Sequence, residues 1–193
     1  IISGQKFDDF LQQNLFDPLN MHDTGFTVPK NKLHRFAANY SSRDAQSILI
    51  DDPQLSRYQK SGRILSGGAG LVSTSHDYMQ FQLMVLNGGK LGKVRILGPK
   101  TVGFALSNHF PRDNMIRPPY MKEQGHGLGF ALALDPARMG VLTSTGTADW
   151  AGAASTFFWI DRKERLAAVF MTQDMPITDN TLFGMGRSLT YQA

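Results

Sequence analysis

Two largely apolar runs near the end of the chain, Ala153 to Ile160 and Leu166 to Thr172, flank the charged stretch Asp161-Arg162-Lys163-Glu164-Arg165. Apolar runs bounded by a charged turn read as strands, and this pair predicts an antiparallel hairpin with a loop of four or five residues. Gly127 to Leu134 predicts a further strand. Leu182, Met185 and Leu189 recur at helical spacing, so a terminal amphipathic helix is expected to cover one face of the sheet through them. Upstream the pattern is helical. Ser3 is a plausible N-cap for a helix carrying Phe7, Phe10, Leu11 and Leu15, stopped at Asp17-Pro18. Residues 27–62 predict a long irregular excursion with short helical pieces. Thr74, with Asp77 three residues on, predicts a capped helix through Tyr78, Phe81, Gln82 and Val85, ended at Asn87-Gly88-Gly89. Pro99 opens another, carrying Val102, Ala105, Leu106 and His109. The order implies an α+β fold, with a mostly helical and irregular part over residues 1–118 and sheet strands plus a C-terminal helix over 119–193.

At 193 residues, 41% hydrophobic and 19% charged, the chain can bury a core without metal or disulfide. It holds no cysteine, which excludes a thiolate zinc site and a cysteine nucleophile and leaves the compartment open. The net charge of +4 is dispersed, and the cluster at Arg162, Lys163 and Arg165 is interrupted by Glu164, so these read as solvated turn charges and no nucleic-acid partner is expected. No apolar run is long enough to span a bilayer. His22, His34, His109 and His126 show no metal-ligand spacing, and neither a metal nor a cofactor is expected. His126 precedes a predicted strand near the open end of the sheet; a satisfied or surface histidine and one reaching a cleft both fit.

The opening Ile2-Ser3-Gly4-Gln5 with Phe7-Asp8-Asp9-Phe10, then Phe16-Asp17-Pro18-Leu19-Asn20-Met21, begins a series of local strings. Ser66-Gly67-Gly68-Ala69-Gly70-Leu71-Val72-Ser73-Thr74 with Asp77-Tyr78 continues it. Leu86-Asn87-Gly88-Gly89, Ile96-Leu97-Gly98-Pro99-Lys100-Thr101-Val102, Gly127-Leu128-Gly129-Phe130 and Trp150-Ala151-Gly152-Ala153-Ala154-Ser155-Thr156 complete it. In register, from about residue 1 to 173, these strings resemble the second half of the serine β-lactamase and penicillin-binding-protein-like superfamily, closest to the family VIII carboxylesterases.

The resemblance implies a helical lobe against an antiparallel sheet, with the active site between them. It also implies acyl transfer. A serine in S-x-x-K attacks a carbonyl, the lysine and a tyrosine of Y-x-N handle its proton, and main-chain amides hold the oxyanion. The S-x-x-K and Y-x-N motifs are expected to be absent from this chain and to belong upstream of Ile1. Ser56 with Lys60 is one residue too long, and Tyr40-Ser41-Ser42 matches only at its first position. The third motif, K-T-G in β-lactamases and often W-G-G in the esterases, is matched by Trp150-Ala151-Gly152, with Ala151 where glycine is usual. The resemblance makes these three residues substrate-binding and gives Ala153 the second oxyanion amide. A Cβ at Gly152 is expected to crowd a substrate lying along the strand; small residues packed under a helix are the alternative explanation. Lys100-Thr101-Val102 opens a helix and lacks the glycine.

Ser75-His76-Asp77 cannot align as a triad, because consecutive helical residues point about 100° apart. The Gly67-Gly68-x-Gly70 turn lacks the Lys-Ser/Thr of a phosphate-binding loop. The expected function is part of a serine hydrolase acting on small carboxylic esters, since Trp150 removes the cation that anchors a β-lactam carboxylate. A β-lactamase or D-amino-acid peptidase of the same fold, and a non-catalytic binding module or inactive fragment, stay open. The partner expected beyond the substrate is a missing N-terminal segment of the same protein, covalent or as a separate chain.

Overall fold

The computed structural model describes residues 2–43, 46–60, 65–110, 123–176 and 181–193. Helix α1 (Phe7–Leu11) runs directly into a π-helical turn over Gln12–Phe16. Gly4, at φ +70°, separates Ser3 from that helix, and Lys6 rather than Ser3 holds the N-cap position, without a side-chain cap. The stop before Asp17-Pro18 is where expected, and Phe16, Leu19 and Met21 beyond and before it are buried.

The stretch expected to be irregular contains a 3-10 helix at Lys30–Arg35 and a hairpin of β1 (Asn39–Arg43) and β2 (Gln46–Asp51). Its strands escaped notice because Ile48, Leu49 and Ile50 are consecutive and all about half exposed, so no period-two pattern marks a buried face. Tyr40 ties the hairpin to the body: its N–H donates to Gln173 O at 2.8 Å and its carbonyl accepts from Met175 N at 2.7 Å.

Helix α2 (Ser75–Leu86) begins as predicted, with Thr74 Oγ1 accepting from Asp77 N at 3.2 Å. Gly89, at φ +92°, closes its end; a Cβ there would lie 2.2 Å from Leu97 O, so only glycine fits. A short hairpin of β3 (Lys90–Leu91) and β4 (Val94–Arg95) leads to α3 (Pro99–Ala105). The expected lobe boundary at Pro118-Pro119 lies outside the described residues.

The C-terminal part is one antiparallel meander in the order β5 (Gln124–His126), β6 (Ala131–Ala133), β7 (Ala148–Ala151), β8 (Phe157–Asp161) and β9 (Leu166–Phe170). A short α4 (Pro136–Met139) lies between β6 and β7, and α5 (Thr181–Gln192) follows β9. Residues 127–134 are therefore not one strand. Gly127 N donates to Phe130 O at 2.8 Å, and Gly129 sits at φ +83°, so Leu128-Gly129 is a turn between β5 and β6. The β8–β9 hairpin is present, with Arg162–Arg165 as its exposed loop. Its first strand starts at Phe157, not Ala153, because residues 153–155 form the preceding turn.

All five residues of β8 are buried, because both faces of the sheet are covered. Phe158 and Ile160 face α2, with the Tyr78 ring 5.1 Å from Phe158, and join the main core with Met84, Val85 and Leu132. Phe157 and Trp159 face α5, where Phe183 lies 4.3 Å from Phe157 and Arg187 sits 5.5 Å over Trp159. Each such ring, fully buried, contributes about 1.5–3 kcal/mol.

Helix α5 does cover the sheet, but through Phe183, Gly186, Arg187 and Tyr191. The stripe expected to do so, Leu182, Met185 and Leu189, points outward at 45%, 54% and 62% exposure. A part-buried ion pair, Arg187 to Asp149 at 2.8 Å, and the Tyr191 hydroxyl on Asp161 at 2.7 Å set the helix's rotation instead. Gly186 permits the approach, since a Cβ there would come within 3.1 Å of Phe157 Cζ.

Candidate active site

The residues Trp150, Ala151, Gly152 and Ala153 lie where β7 ends and turns into β8, not at the start of a strand. Gly152 N donates to Thr156 O at 2.8 Å, and Ser155 N donates to Gly152 O at 3.1 Å. Ser155 follows at φ +57°, completing a three-residue hairpin loop of a tight turn plus one left-handed residue. Serine tolerates that conformation because it is buried and its Oγ donates to Asp174 O at 2.8 Å. The atom a Cβ at Gly152 would meet is Thr156 Oγ1, which would have to move aside, so the turn favours glycine on its own, independently of a substrate lane or a covering helix. Ala153 is exposed at the second position of this turn, and its N–H has no acceptor among the described residues.

Thr147 O accepts from Ala133 N at 2.9 Å, while Gly152 N points to β8. Main-chain groups alternate sides along an antiparallel strand, so the Ala151 N–H and C=O face the side that β6 occupies. β6 pairs only with Asp149 and Ala148, through Ala131 and Leu132. Past Asp149 it has already turned away at Gly129, so among the described residues no strand pairs with Trp150 and Ala151 on that side, and the sheet ends there in a notch. Trp150 is 48% exposed in that notch.

His126 reaches it. Its ring lies 5.5 Å from the Trp150 ring at 85°, and the Phe110 ring lies 5.3 Å from it at 36°. The ladder His126–Ala131–Asp149 ends one residue short of Trp150, so the two rings meet across the end of the sheet. Sequence reasoning left His126 open because the contact spans two strands and no spacing encodes it.

Behind Trp150, on the α5 face, burial pushes the Asp149 carboxyl above its usual value despite Arg187 beside it. On the helical side, hydrogen bonds from Arg35 and Lys32 hold Asp23 down at about 2. Asp23 helps line a cleft of about 550 Å³ with His22, Thr24, Phe26 and Ser73, and that cleft includes none of residues 150–153.

The remaining sequence candidates are structural. Lys100 and Thr101 occupy the first turn of α3, and Val102 behind them is 2% exposed in the core. Ser56 Oγ donates to Asp51 at 2.9 Å and accepts from Tyr58 N, capping a 3-10 turn rather than facing Lys60. His76 is largely exposed and only 3.5 Å from Asp77, whose other oxygen accepts from Asp23 N and Thr24 Oγ1. Gly70, at φ +96°, belongs to an exposed turn before α2.

The expectation that S-x-x-K is absent overlooks Ser3-Gly4-Gln5-Lys6, which has that spacing. The motif works when serine and lysine share a face one helical turn apart. Here Gly4 at φ +70° breaks the turn, Ser3 Oγ accepts from Gln5 N at 3.3 Å, and Lys6 stands outside α1, so the two do not form a dyad. No described helix is long and apolar enough to cross a membrane. Among the described residues no group of three His, Asp or Glu side chains is arranged to hold a metal ion.

The family model described as Beta-lactamase matches residues 2–182. Protein Rv1367c of Mycobacterium tuberculosis is 29% identical over 173 residues, 86% of this chain and 43% of its own length. A "Putative D-alanyl-D-alanine carboxypeptidase" of Salmonella enteritidis is 25% identical over 192 residues, 88% of this chain and 40% of its own. Among solved structures, "EstCE1, a hydrolase with promiscuous acyltransferase activity" superposes with a TM-score of 0.76 at 22% identity, covering 90% of this chain and 47% of that one. A mutant of simvastatin synthase from Aspergillus terreus reaches 0.81 at 21% identity, covering 98% and 50%. The chain thus spans less than half the length of these curated relatives and about half of these structures.

Proposed function

Because the chain belongs to the Beta-lactamase family, we propose that it forms one side of the acyl-transfer site of a serine hydrolase acting on small carboxylic esters. The observation that carries the reading is the end of β7, where a half-exposed Trp150 and an Ala151 paired with β8 but not with β6 adjoin an exposed Ala153 whose N–H has no acceptor among the described residues. In the proposed mechanism the serine of an S-x-x-K motif outside these residues attacks the ester carbonyl, and the motif's lysine with a Y-x-N tyrosine takes the hydroxyl proton. The carbonyl oxygen becomes an oxyanion, held by the Ala153 N–H and the serine's own N–H. Collapse expels the alcohol, which recovers the proton, and water then cleaves the acyl-serine by the same steps. Ala151 supplies main-chain hydrogen bonds to the substrate, and Gly152 keeps the turn tight.

The length of the relatives supports a further segment of the same protein as the partner, covalent or separate. So do the outer edge of β9, which no other strand pairs among the described residues, and the exposed Leu182, Met185 and Leu189. The test is fluorophosphonate labelling of the protein isolated from its source, read by peptide mass spectrometry. An adduct on a serine outside residues 1–193 is expected. An adduct within them, Ser3 first among the candidates, or none at all overturns the reading.

Esters are favoured over β-lactams and D-amino-acid peptides because Trp150 stands where the family's lysine would meet a carboxylate. Arg187, paired with Asp149, lies on the opposite face over Trp159. Trp150→Lys should therefore raise the second-order rate on nitrocefin about tenfold, the worth of one charge-assisted hydrogen bond, while lowering hydrolysis of p-nitrophenyl butyrate. Unchanged nitrocefin kinetics would remove the argument for esters.

A further inference from the structure

We propose that His126 is a positioning residue of this site: it holds the Trp150 indole across the open end of the sheet, and the exposed part of that indole selects esters carrying a planar apolar group, phenyl or benzyl, over short aliphatic ones. The inference rests on the ester-hydrolase reading and deepens it. The His126 ring is fixed from several directions. Its Nδ1 lies 2.7 Å from Gly127 O, and a carbonyl only accepts, so Nδ1 carries the hydrogen. Its main-chain N–H donates to Asn108 Oδ1 at 3.1 Å, and its carbonyl accepts from His109 N at 2.8 Å. Phe110 packs against the ring at 5.3 Å. Gly127 brings this strand end against α3, since a Cβ there would lie 2.2 Å from Ala105 O and Leu128 N donates to that same oxygen at 2.8 Å.

A ring so held is a rigid support, and it meets Trp150 nearly perpendicular, at 85°. The indole consequently keeps one orientation while staying 48% exposed. An immobilised, half-solvated aromatic surface beside an unpaired strand edge is preorganised for a flat apolar group: water leaves both faces, and no side-chain freedom is lost on binding. A short aliphatic group covers too little of the indole to gain from it.

These residues hold two tryptophans, Trp150 and Trp159, and the second is 2% exposed. Their indole N–H resonances in the ¹⁵N-labelled protein, assigned with Trp150→Phe and Trp159→Phe, report the site with an internal control, independently of turnover. Phenylacetone, an ester-like carbonyl compound without a leaving group, should shift the Trp150 signal to saturation. Acetone should not, and Trp159 should stay still. His126→Ala should weaken phenylacetone about fivefold, the size of one aromatic contact. His126→Gln, which keeps a donor without the ring, should do the same, whereas His126→Phe, which keeps the ring contacts but not the bond to Gly127 O, should recover most of the affinity. An unchanged Trp159 resonance verifies the fold of each variant. The proposal is overturned if phenylacetone leaves Trp150 unmoved, or moves it equally in His126→Ala. Fluorophosphonate labelling without the Trp150 shift would sink this inference alone; the shift without labelling would sink the hydrolase reading and leave the aromatic support standing.

Discussion

Ala153→Pro is expected to lower kcat/KM of the intact protein toward p-nitrophenyl esters by roughly 10²–10³-fold, the usual loss for one oxyanion donor. An amide cannot ordinarily be removed by mutation, but this position permits it. Ala153 is the second residue of a turn closed by Ser155 N on Gly152 O at 3.1 Å, the position where proline's fixed φ is most at home. Gly152, the residue that would precede the proline, directly follows β7 and keeps its N–H on Thr156 O at 2.8 Å, and the position before a proline favours extended backbone. The lost N–H has no acceptor within the protein among the described residues, so stability should change little. Ala153→Gly retains the donor and should retain the rate. Parent-like turnover in the proline variant, with an unchanged melting temperature, would strip Ala153 of its oxyanion role.

The second large effect concerns folding. Asp161 is 1% exposed at the end of β8. Its carboxylate accepts from Tyr191 Oη at 2.7 Å, Lys163 N at 3.0 Å, and Ser144 N and Glu164 N at 3.1 Å each. One side chain therefore closes the β8–β9 turn, anchors the loop before β7 and pins α5. Asp161→Ala leaves the buried Ser144 N–H and the part-buried Tyr191 hydroxyl without this acceptor, opens the β8–β9 turn, and should cost about 3 kcal/mol in urea unfolding. Asp161→Asn, which keeps one oxygen, should cost about half, and Tyr191→Phe about 1 kcal/mol.

The pH dependence follows from the same contacts. Burial pushes the Asp161 carboxyl up, but the hydrogen bonds from Tyr191, Glu164 and Ser144 outweigh it and hold the group below its ordinary value. A depressed acid stabilises the fold above its unfolded value, about 3.9, and that contribution is lost as pH falls through the folded value. Asp23, lowered to about 2 by Arg35 and Lys32, acts in the same direction. Between about pH 4 and 2 the parent should lose stability more steeply than Asp161→Asn, which keeps only the Asp23 part. Equal slopes would mean that Asp161 carries no charge-dependent stability.

Much of the site was legible because short-range chemistry wrote it. Trp150-Ala151-Gly152-Ala153 stood out as a string, and the turn they form is local: Gly152, Ser155 and Thr156 bond to one another. Thr74 before α2 and the charged loop before Leu166 were legible for the same reason, since caps and hairpin loops depend on neighbours in the chain. The β8 run was readable as a strand, but its start was not, because Ala153 and Ala154 are as apolar as the strand that follows. Gly127-Leu128-Gly129-Phe130 misled in the opposite way, its apolar residues suggesting a strand where the glycines make a turn.

Sequence by itself therefore determined the family and the α+β order of elements, and it singled out Trp150-Ala151-Gly152-Ala153 as a string without placing them at the end of β7. Only the tertiary structure decided which face of α5 meets the sheet, because Leu182, Met185 and Leu189 compete with an ion pair and a buried hydroxyl whose partners, Asp149 and Asp161, are distant in the chain. It also decided that His126 stands against Trp150, a contact made across strand ends. Side-chain spacing encodes the period of an element, whereas partners between elements are chosen by packing and by the need of every buried charge and donor for a counterpart.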